Sequence, residues 1–412
     1  MKRVVGSLSV LVAALAACSA EPGDEAAGEP VVSVRDSAGI SIVESTVPGG
    51  VAPVYAEVGA LELEIGVVEG DPRYAFSRIV AARTLGSGEI LVAEGRAQEL
   101  RVYDAEGMYV RSFGGPGEGP GEFAQVAGLA GVAGDTVQVW DGMSRRVSTF
   151  VAGGRFLGDF PLSPERFRNV QTVSRMSDGT LLTVSTDFPE GGVASGATSS
   201  AVIRRVDPGL GMDTVVVLPG EELKIGEEIT ETMPDGRTRT LRLLLSPVIS
   251  HEAYAVADDD HFYVGYSDRY AIRRYRASGE LDLVLRVPAF DRPMEEAEMQ
   301  EILRSRLDDC DDERCRDYYR RSAEAFEPPE MRPAFAGLQV DAAGRLWVAE
   351  WTGELGPADG WHVFSLEGEL LGRVAVPQGL LVREIGDDYL LGVERNELDV
   401  PFLHRYALTR LH

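Results

Sequence analysis

The sequence has little of what zinc-dependent and nucleophile-based enzymes require. Only three cysteines and five histidines occur in 412 residues, and the histidines, at positions 251, 261, 362, 404 and 412, are scattered. A zinc centre needs several such ligands at close spacing. The chain also lacks a G-x-S-x-G and an H-E-x-x-H motif. No Lys-Ser/Thr pair follows the glycine-rich run at residues 114–121, so that run is not a phosphate-binding loop.

Positive charge is also scarce. The chain has 40 Lys and Arg against 66 Asp and Glu, which gives a formal net charge of −26. A surface of this sign repels phosphate backbones. We therefore expect no nucleic-acid partner, while cationic ligands and metal ions stay possible.

Apolar segments long enough to span a bilayer, about 20 residues, are absent. Residues 1–17 carry Lys2 and Arg3 before a short apolar core, which is typical of a secretory signal. They end in Leu-Ala-Ala before Cys18, and this ending resembles the lipobox of bacterial lipoproteins. The resemblance implies a lipid on Cys18, followed by a flexible acidic tether over residues 18–30. An ordinary cleaved signal with an incidental cysteine is the alternative.

The two remaining cysteines, Cys310 and Cys315, form an even pair in a compartment where disulfides persist. No histidine lies between Met294 and Arg332, which argues against a zinc site there. We expect a disulfide, with two free thiols as the alternative.

What the chain does have is an internal repeat over residues 31–412. An apolar strand ends in an acidic or polar residue, and a second strand, a glycine-containing turn and a third strand follow. Copies begin at Ile90, Val137, Leu181, Phe262, Leu346 and Leu390, each preceded by one more strand. Six repeats of four strands predict an all-β fold, a six-bladed β-propeller. An open β-sandwich is the alternative.

The last repeat lacks its final strand because the chain ends. The segment Leu61–Ile65 parallels the outer strand of the first repeat, so we expect it to complete the sixth blade and close the ring. The strand-like segment Gly39–Glu44 is expected to pad an edge nearby.

Four segments carry a family resemblance: DSAGISIVE, EIGVVEGDPRYAF, RVYDAEGMYVRSFGGPGEGPGEF and VERNELDVPFLHRYAL. With them the chain resembles NHL-type six-bladed propellers, and especially the bacterial propeller lipoproteins, which are largely of uncharacterised function. The resemblance covers nearly all of the chain after the signal. It implies the fold and leaves the function open, because propellers include binding modules, scaffolds, lyases and lactonases.

Three long insertions interrupt the repeats, at residues 187–200, 221–250 and 291–333. The second contains a hairpin signal, and the third contains two helical patterns. All three fall in loops that share one face of a propeller, and long loops are often functional. Drift in tolerant loops is the alternative.

Counting back from each second strand places a set of mostly polar residues at the channel mouth on this face. We expect these residues to bind a ligand or, as the alternative, only water. The predicted mouth residues are Arg78, Gln125, Asn169, Ser250, His251 and Gln378.

Carboxylates occur where the second strands end, and they can hold a hard cation such as calcium. They can equally cap turns and pair with the arginines that follow them. These candidates are Glu94, Asp141, Asp268, Glu350 and Glu394.

The sequence thus predicts a monomeric, membrane-anchored, periplasm-facing propeller of the cell envelope. It would bind an envelope protein or a small molecule without a cofactor and without evident catalysis. The alternative is a metal-dependent hydrolase or lyase of the lactonase type, with calcium or zinc on the axial carboxylates.

Overall fold

The computed structural model describes residues 28–134, 136–162, 170–188, 197–207, 211–232, 238–258, 260–354 and 356–411. Strands dominate these residues, and two α-helices accompany them. Cys18, Asn169 and most of the insertion at 187–200 lie outside the described residues.

The described strands form six sheets, numbered I to VI along the chain. Three strands come first: β1 Val31–Ser37, β2 Ile40–Thr46 and β3 Ala56–Ile65. Sheet I contains β4 Ile79–Thr84, β5 Ile90–Glu94, β6 Glu99–Tyr103 and β7 Tyr109–Gly114. Sheet II contains β8 Val126–Ala133, β9 Thr136–Asp141, β10 Arg146–Val151 and β11 Phe156–Pro161. Sheet III contains β12 Val170–Arg175, β13 Leu181–Asp187, β14 Ala197–Asp207, β15 Gly211–Thr232 and β16 Thr238–Leu245.

Sheet IV contains β17 Ala253–Ala257, β18 His261–Tyr266, β19 Ala271–Arg276 and β20 Leu281–Arg286. Helices α1 Glu296–Asp308 and α2 Glu313–Ala325 follow. Sheet V contains β21 Gly337–Val340, β22 Leu346–Ala349, β23 Gly360–Phe364 and β24 Leu370–Ala375. Sheet VI contains β25 Leu381–Ile385, β26 Tyr389–Arg395 and β27 Pro401–Arg410. Single 3-10 turns occur at Pro48–Gly50 and Pro288–Phe290.

Strand position within a sheet determines the burial pattern. Every residue of β5 and of β22 is buried, because the faces of these second strands are covered by the neighbouring sheets. The fourth strands β7 and β11 instead alternate between half-buried and exposed residues, as expected for strands with one solvated face. The continuous apolar runs in the sequence are therefore the second strands.

The hydrophobic core is divided among the interfaces between consecutive sheets. Val139 of sheet II, for example, packs in one cluster with Leu91 of sheet I, and comparable clusters join II to III, III to IV, IV to V and V to VI. A further cluster contains Leu403 of sheet VI and Ile90 of sheet I. The contacts between sheets therefore run in a closed circuit.

Strand β3 joins the two ends of the chain. It pairs antiparallel with β27, with Ile65 opposite Leu403, so that a strand from near the N-terminus completes sheet VI. The predicted pairing of Leu61–Ile65 with the last repeat is confirmed. An outer edge of the last sheet is covered in this way.

Residues 31–65, which end with β3, form a belt along sheets IV, V and VI. Strand β2 pairs in parallel with β20 of sheet IV, and Val54 forms a parallel bridge to Arg373 of sheet V. Gly39–Glu44 was expected to pad a sheet edge, and β2 does pair along the outer edge of sheet IV, at β20. The apolar side chains Val47 and Ala52, which follow it, are buried between sheets IV and V.

The second and third insertions pack against each other. The second half of β15 pairs with β16 as a hairpin, whose turn lies outside the described residues. Lys224 of this hairpin donates from Nζ to the carbonyl of Ala325 at the end of α2 (2.5 Å). A disulfide joins Cys310 to Cys315 between the helices. Neither helix of the described part has the length and apolar character needed to cross a membrane.

Candidate functional site

A cavity of about 550 Å³ opens where sheets I, II and VI meet on the face that carries the turns after the second strands. Its polar lining residues are Arg78, Gln125, Arg383 and Arg395. Its apolar wall includes Ile79, Val80, Leu381 and Val393. A second cavity of about 500 Å³ shares Arg78 and Gln125 and adds Arg96, Gln98 and Met143. We call these two cavities, which share Arg78 and Gln125, the mouth.

A buried carboxylate holds the backbone that carries Arg78. Glu94, at the end of β5, accepts through Oε1 from the backbone N–H groups of Ser77 (3.0 Å) and Arg78 (2.8 Å). Its Oε2 accepts from the N–H groups of Arg96 (2.8 Å) and Ala97. Glu94 is 1% exposed. One side chain therefore ties the loop entering sheet I to the turn after β5.

Asp141 repeats this arrangement one sheet further along. It is fully buried at the end of β9 and accepts from the backbone N–H groups of Ala124 (3.0 Å) and Gln125 (3.1 Å). It also accepts from Ser144 in its own turn (2.9 Å). Both residues shared by the two cavities, Arg78 and Gln125, thus sit on backbone held by a buried carboxylate.

Glycines make room for these two side chains. A Cβ atom at Gly95 would lie 2.7 Å from Nε of Arg78, and one at Gly142 would lie 3.2 Å from Oε1 of Gln125. The side chains of Arg78 and Gln125 therefore lie directly over the turns after β5 and β9.

Arg383 places a partly buried positive charge in the wall of the mouth. It projects from β25, donates from Nη2 to the carbonyl of Ile79 (3.1 Å), and its Nε is buried without a hydrogen-bond partner. Burial, together with the nearby charge of Arg83, lowers the pKa of Arg383 to about 10. No aspartate or glutamate is among the described residues that line either cavity.

The predicted mouth residues separate into different places. Arg78 and Gln125 line the mouth, and Gln378 is exposed next to the lining residue Gly379. Ser250 and His251 line another cavity, of about 790 Å³, beside the end of α2. The structure thus brings two of the predicted residues together and places Ser250 and His251 elsewhere.

His251 has a structural partner there. Its Nε2 lies 2.9 Å from the carbonyl oxygen of Met331, and its ring packs edge-on against Tyr266. These contacts fasten the segment after the helices to sheet IV.

The other carboxylates proposed as metal ligands have protein partners of their own. Glu350 forms a bidentate pair with Arg373 (2.8 Å for each bond), and Glu394 accepts from the Tyr406 hydroxyl (2.8 Å). Asp268 pairs with Arg269 at 3.5 Å. In the described ranges, no three Asp, Glu, His or Cys side chains converge into a metal-binding group.

A buried polar network between sheets IV and V was not among the predicted site residues. His362 lies with Nδ1 3.2 Å from the Tyr270 hydroxyl and Nε2 3.1 Å from Glu350. Phe290 stacks on its ring at 4.2 Å. Burial lowers the pKa of His362 to about 4. The available signal was a histidine inside the apolar strand GWHVF.

Arg383 was also missed. Its signal was a charged pair, Arg383-Glu384, inside the otherwise apolar inner strand LVREI. A charge at such a position indicates that the side chain faces a solvent-filled channel or a buried partner.

Comparisons with known proteins find solved structures that are similar to this chain at low sequence identity. No family model matches the chain, and no curated protein matches it. A candidate exported protein from Bacteroides fragilis is 14% identical with a TM-score of 0.49, covering 90% of this chain and all of its own. A DUF4221 family member from Bacteroides vulgatus is 10% identical with a TM-score of 0.48, covering 86% of this chain and 99% of its own.

Virginiamycin B lyase from Staphylococcus aureus, solved with quinupristin, is 11% identical with a TM-score of 0.40. The alignment covers 84% of this chain and 98% of the lyase. These structural neighbours are β-propeller proteins. Similarity at this level leaves activity open.

Proposed function

We propose that the chain is an exported, lipid-anchored, six-bladed β-propeller that binds a small molecule at the mouth and acts as a binding module. The six-blade assignment is supported by the closed circuit of hydrophobic clusters between sheets I to VI. It is also supported by the completion of sheet VI by β3.

One observation carries the binding site. Arg78 and Gln125 line both cavities of the mouth, and each is held from below by a buried carboxylate. Side chains on backbone fixed in this way are ordered before a ligand arrives, which lowers the entropic cost of binding. A cavity of about 550 Å³ is within the range of small-molecule sites.

The mouth is tested by blocking it without changing its charge. Ala127 is exposed and lines the larger cavity, so Ala127→Trp fills space and leaves every polar group in place. Ala105→Trp is the control, because Ala105 is exposed in the turn after β6, on the opposite face. The full chain and both variants are screened by thermal shift against small molecules of different charge.

We expect compounds that raise the unfolding temperature of the unmodified chain and of the control Ala105→Trp alike, but not that of Ala127→Trp. If no compound in the library shifts the unfolding temperature of the unmodified chain more than that of Ala127→Trp, the proposed ligand site at the mouth is contradicted.

The anchor is a separate part of the proposal and rests on the sequence at Cys18. Replacing this cysteine (Cys18→Ala) should abolish lipid labelling with a radioactive fatty acid and move the protein from the membrane to the soluble fraction. Unchanged processing and membrane association in Cys18→Ala would refute lipid anchoring.

A further inference from the structure

We infer that the ligand of the mouth is a small organic anion whose carboxylate or phosphate group is bound by Arg383 and Arg78. This inference rests on the proposed function, because it assigns the chemical class of the ligand at that same site.

The first argument is the unbalanced charge of Arg383. Two other half-buried arginines have carboxylate partners, Arg373 with Glu350 and Arg345 with Asp341. Within the described part of the chain, Arg383 has no carboxylate at ion-pair distance, and its Nε has no hydrogen-bond partner. A buried charge without a partner is costly, so this position favours an anion supplied from outside.

The second argument is the composition of the lining. Acidic residues outnumber basic residues by 66 to 40 in the whole chain. The described lining of the mouth nevertheless contains four arginines, Arg78, Arg96, Arg383 and Arg395, and no acidic side chain. Of these, Arg395 is paired with the exposed Asp399 (3.0 Å). The charged groups that line the mouth are thus positive, above the buried carboxylates of Glu94 and Asp141, and they favour anions at this point of an acidic surface.

The third argument is the shape of the donors and the walls. Guanidinium groups present paired N–H donors that match the two oxygens of a carboxylate or phosphate. The wall formed by Ile79, Val80, Leu381 and Val393 is apolar. An organic anion can use both features, with its charged group on the arginines and its carbon skeleton on the wall.

The test uses four probes with the same six-carbon chain and different head groups: hexanoate, hexyl phosphate, hexylamine and 1-hexanol. Binding to the full chain is measured by isothermal titration calorimetry. We expect at least one anionic probe to bind about 10-fold or more tightly than hexanol, since charge-assisted hydrogen bonds are the stronger ones. Comparison of hexanoate with hexyl phosphate identifies the preferred anionic group.

Three variants assign this preference to residues. Arg383→Gln and Arg78→Gln should each weaken binding of the anionic probe about 10-fold or more, while Arg383→Lys keeps the charge and should lose less. Arg269→Gln is the matched control, an exposed arginine on the same face that forms an ion pair with Asp268 (3.5 Å). Arg383→Gln should unfold at the same or a higher temperature than the unmodified chain, because it removes an unpaired charge.

The outcomes separate the inference from the proposed function. Hexanol or hexylamine binding as tightly as the anions, with binding lost in Ala127→Trp, would overturn the anionic assignment and keep the mouth as the site. Anion binding unaffected by both Arg383→Gln and Arg78→Gln would also overturn it. Failure of all four probes, together with a library in which no compound distinguishes Ala127→Trp, would overturn both.

Discussion

Oε1 of Glu94 lies 2.8 Å from the backbone nitrogen of Arg78, so the residue that lines both cavities is positioned by a carboxylate buried beneath it. A carboxylate accepts hydrogen bonds only, and all four N–H groups around Glu94 are donors. Glu94 is therefore a positioning residue of the mouth.

Glu94→Gln should destabilise the protein by about 3 kcal/mol, because the amide group introduces a donor that faces backbone donors. Urea unfolding measures this change. Glu106→Gln, at an exposed position, is the control and should change the stability by less than about 0.5 kcal/mol. Equal stability of the two variants would show that the hydrogen bonds to Glu94 contribute little.

Gly95→Ala should weaken ligand binding at the mouth about 10-fold, because the added Cβ would displace the Arg78 side chain. Gly86→Ala is the control, since a Cβ there meets nothing within 4 Å. Calorimetric titration with a ligand found in the thermal-shift screen measures the effect. Unchanged affinity in Gly95→Ala would mean that the side chain of Arg78 does not contact the ligand.

His362 should make stability depend on pH. Its pKa falls from 6.5 to about 4 on burial, so the unfolded chain binds the proton first as the pH decreases. Neutral His362 makes its full contribution to the free energy of unfolding above pH 6.5. This contribution, about 3 kcal/mol in total, is lost as the pH falls towards 4. Urea unfolding between pH 4 and pH 7 should show a smaller slope for His362→Phe. Tyr270→Phe is the control. It leaves the His362 ring buried, so its stability should change with pH as steeply as that of the unmodified chain. Equal slopes in the unmodified chain and His362→Phe would contradict this assignment.

Loss of the disulfide should affect the helical insertion and leave the sheets unchanged. Five positions separate Cys310 from Cys315, and closing so short a loop stabilises by about 2 kcal/mol. Hydrogen exchange in α1 and α2 should accelerate in Cys310→Ser/Cys315→Ser, with peptides from sheet I as the internal control. Equal exchange in the helices with and without the two cysteines would contradict a structural role for the bond.

Calcium should not stabilise the protein through Glu94 or Asp141, because their oxygens already accept backbone N–H groups. We expect the unfolding temperature to be the same in excess CaCl₂ and in EDTA. An unfolding temperature that is higher in calcium than in EDTA, with the difference lost in Glu94→Gln, would instead indicate a metal site and favour the enzyme alternative.

The sheets could be predicted from sequence because each second strand has an apolar run followed by an acidic or polar residue, and this pattern repeats along the chain. ILVAE and LWVA, for example, are buried in full as β5 and β22. The pairing of β3 with β27 could be predicted because the last repeat lacks a strand. The place of β2 could not, because its parallel pairing with β20 leaves no periodic signal.

The mouth could be predicted only in part. Arg78 and Gln125 follow the repeat, but Ser250 and His251 lie beside the end of α2, and the packing of that insertion cannot be derived from counting residues. Glu94 shows a second limit, because a carboxylate that binds a cation and one that accepts backbone N–H groups have the same sequence signature. The donors from Ser77 and Arg78 lie 17 and 16 residues away.

The belt of residues 31–65 has a mechanical consequence. If Cys18 carries a lipid as proposed, any pull between membrane and protein enters through this segment. The force would first meet the hairpin of β1 and β2, then the parallel pairing on sheet IV, then the bridge from Val54 to sheet V. It would reach β3 last. The strand that completes sheet VI is therefore protected from tension, because the attachments to sheets IV and V can yield before it.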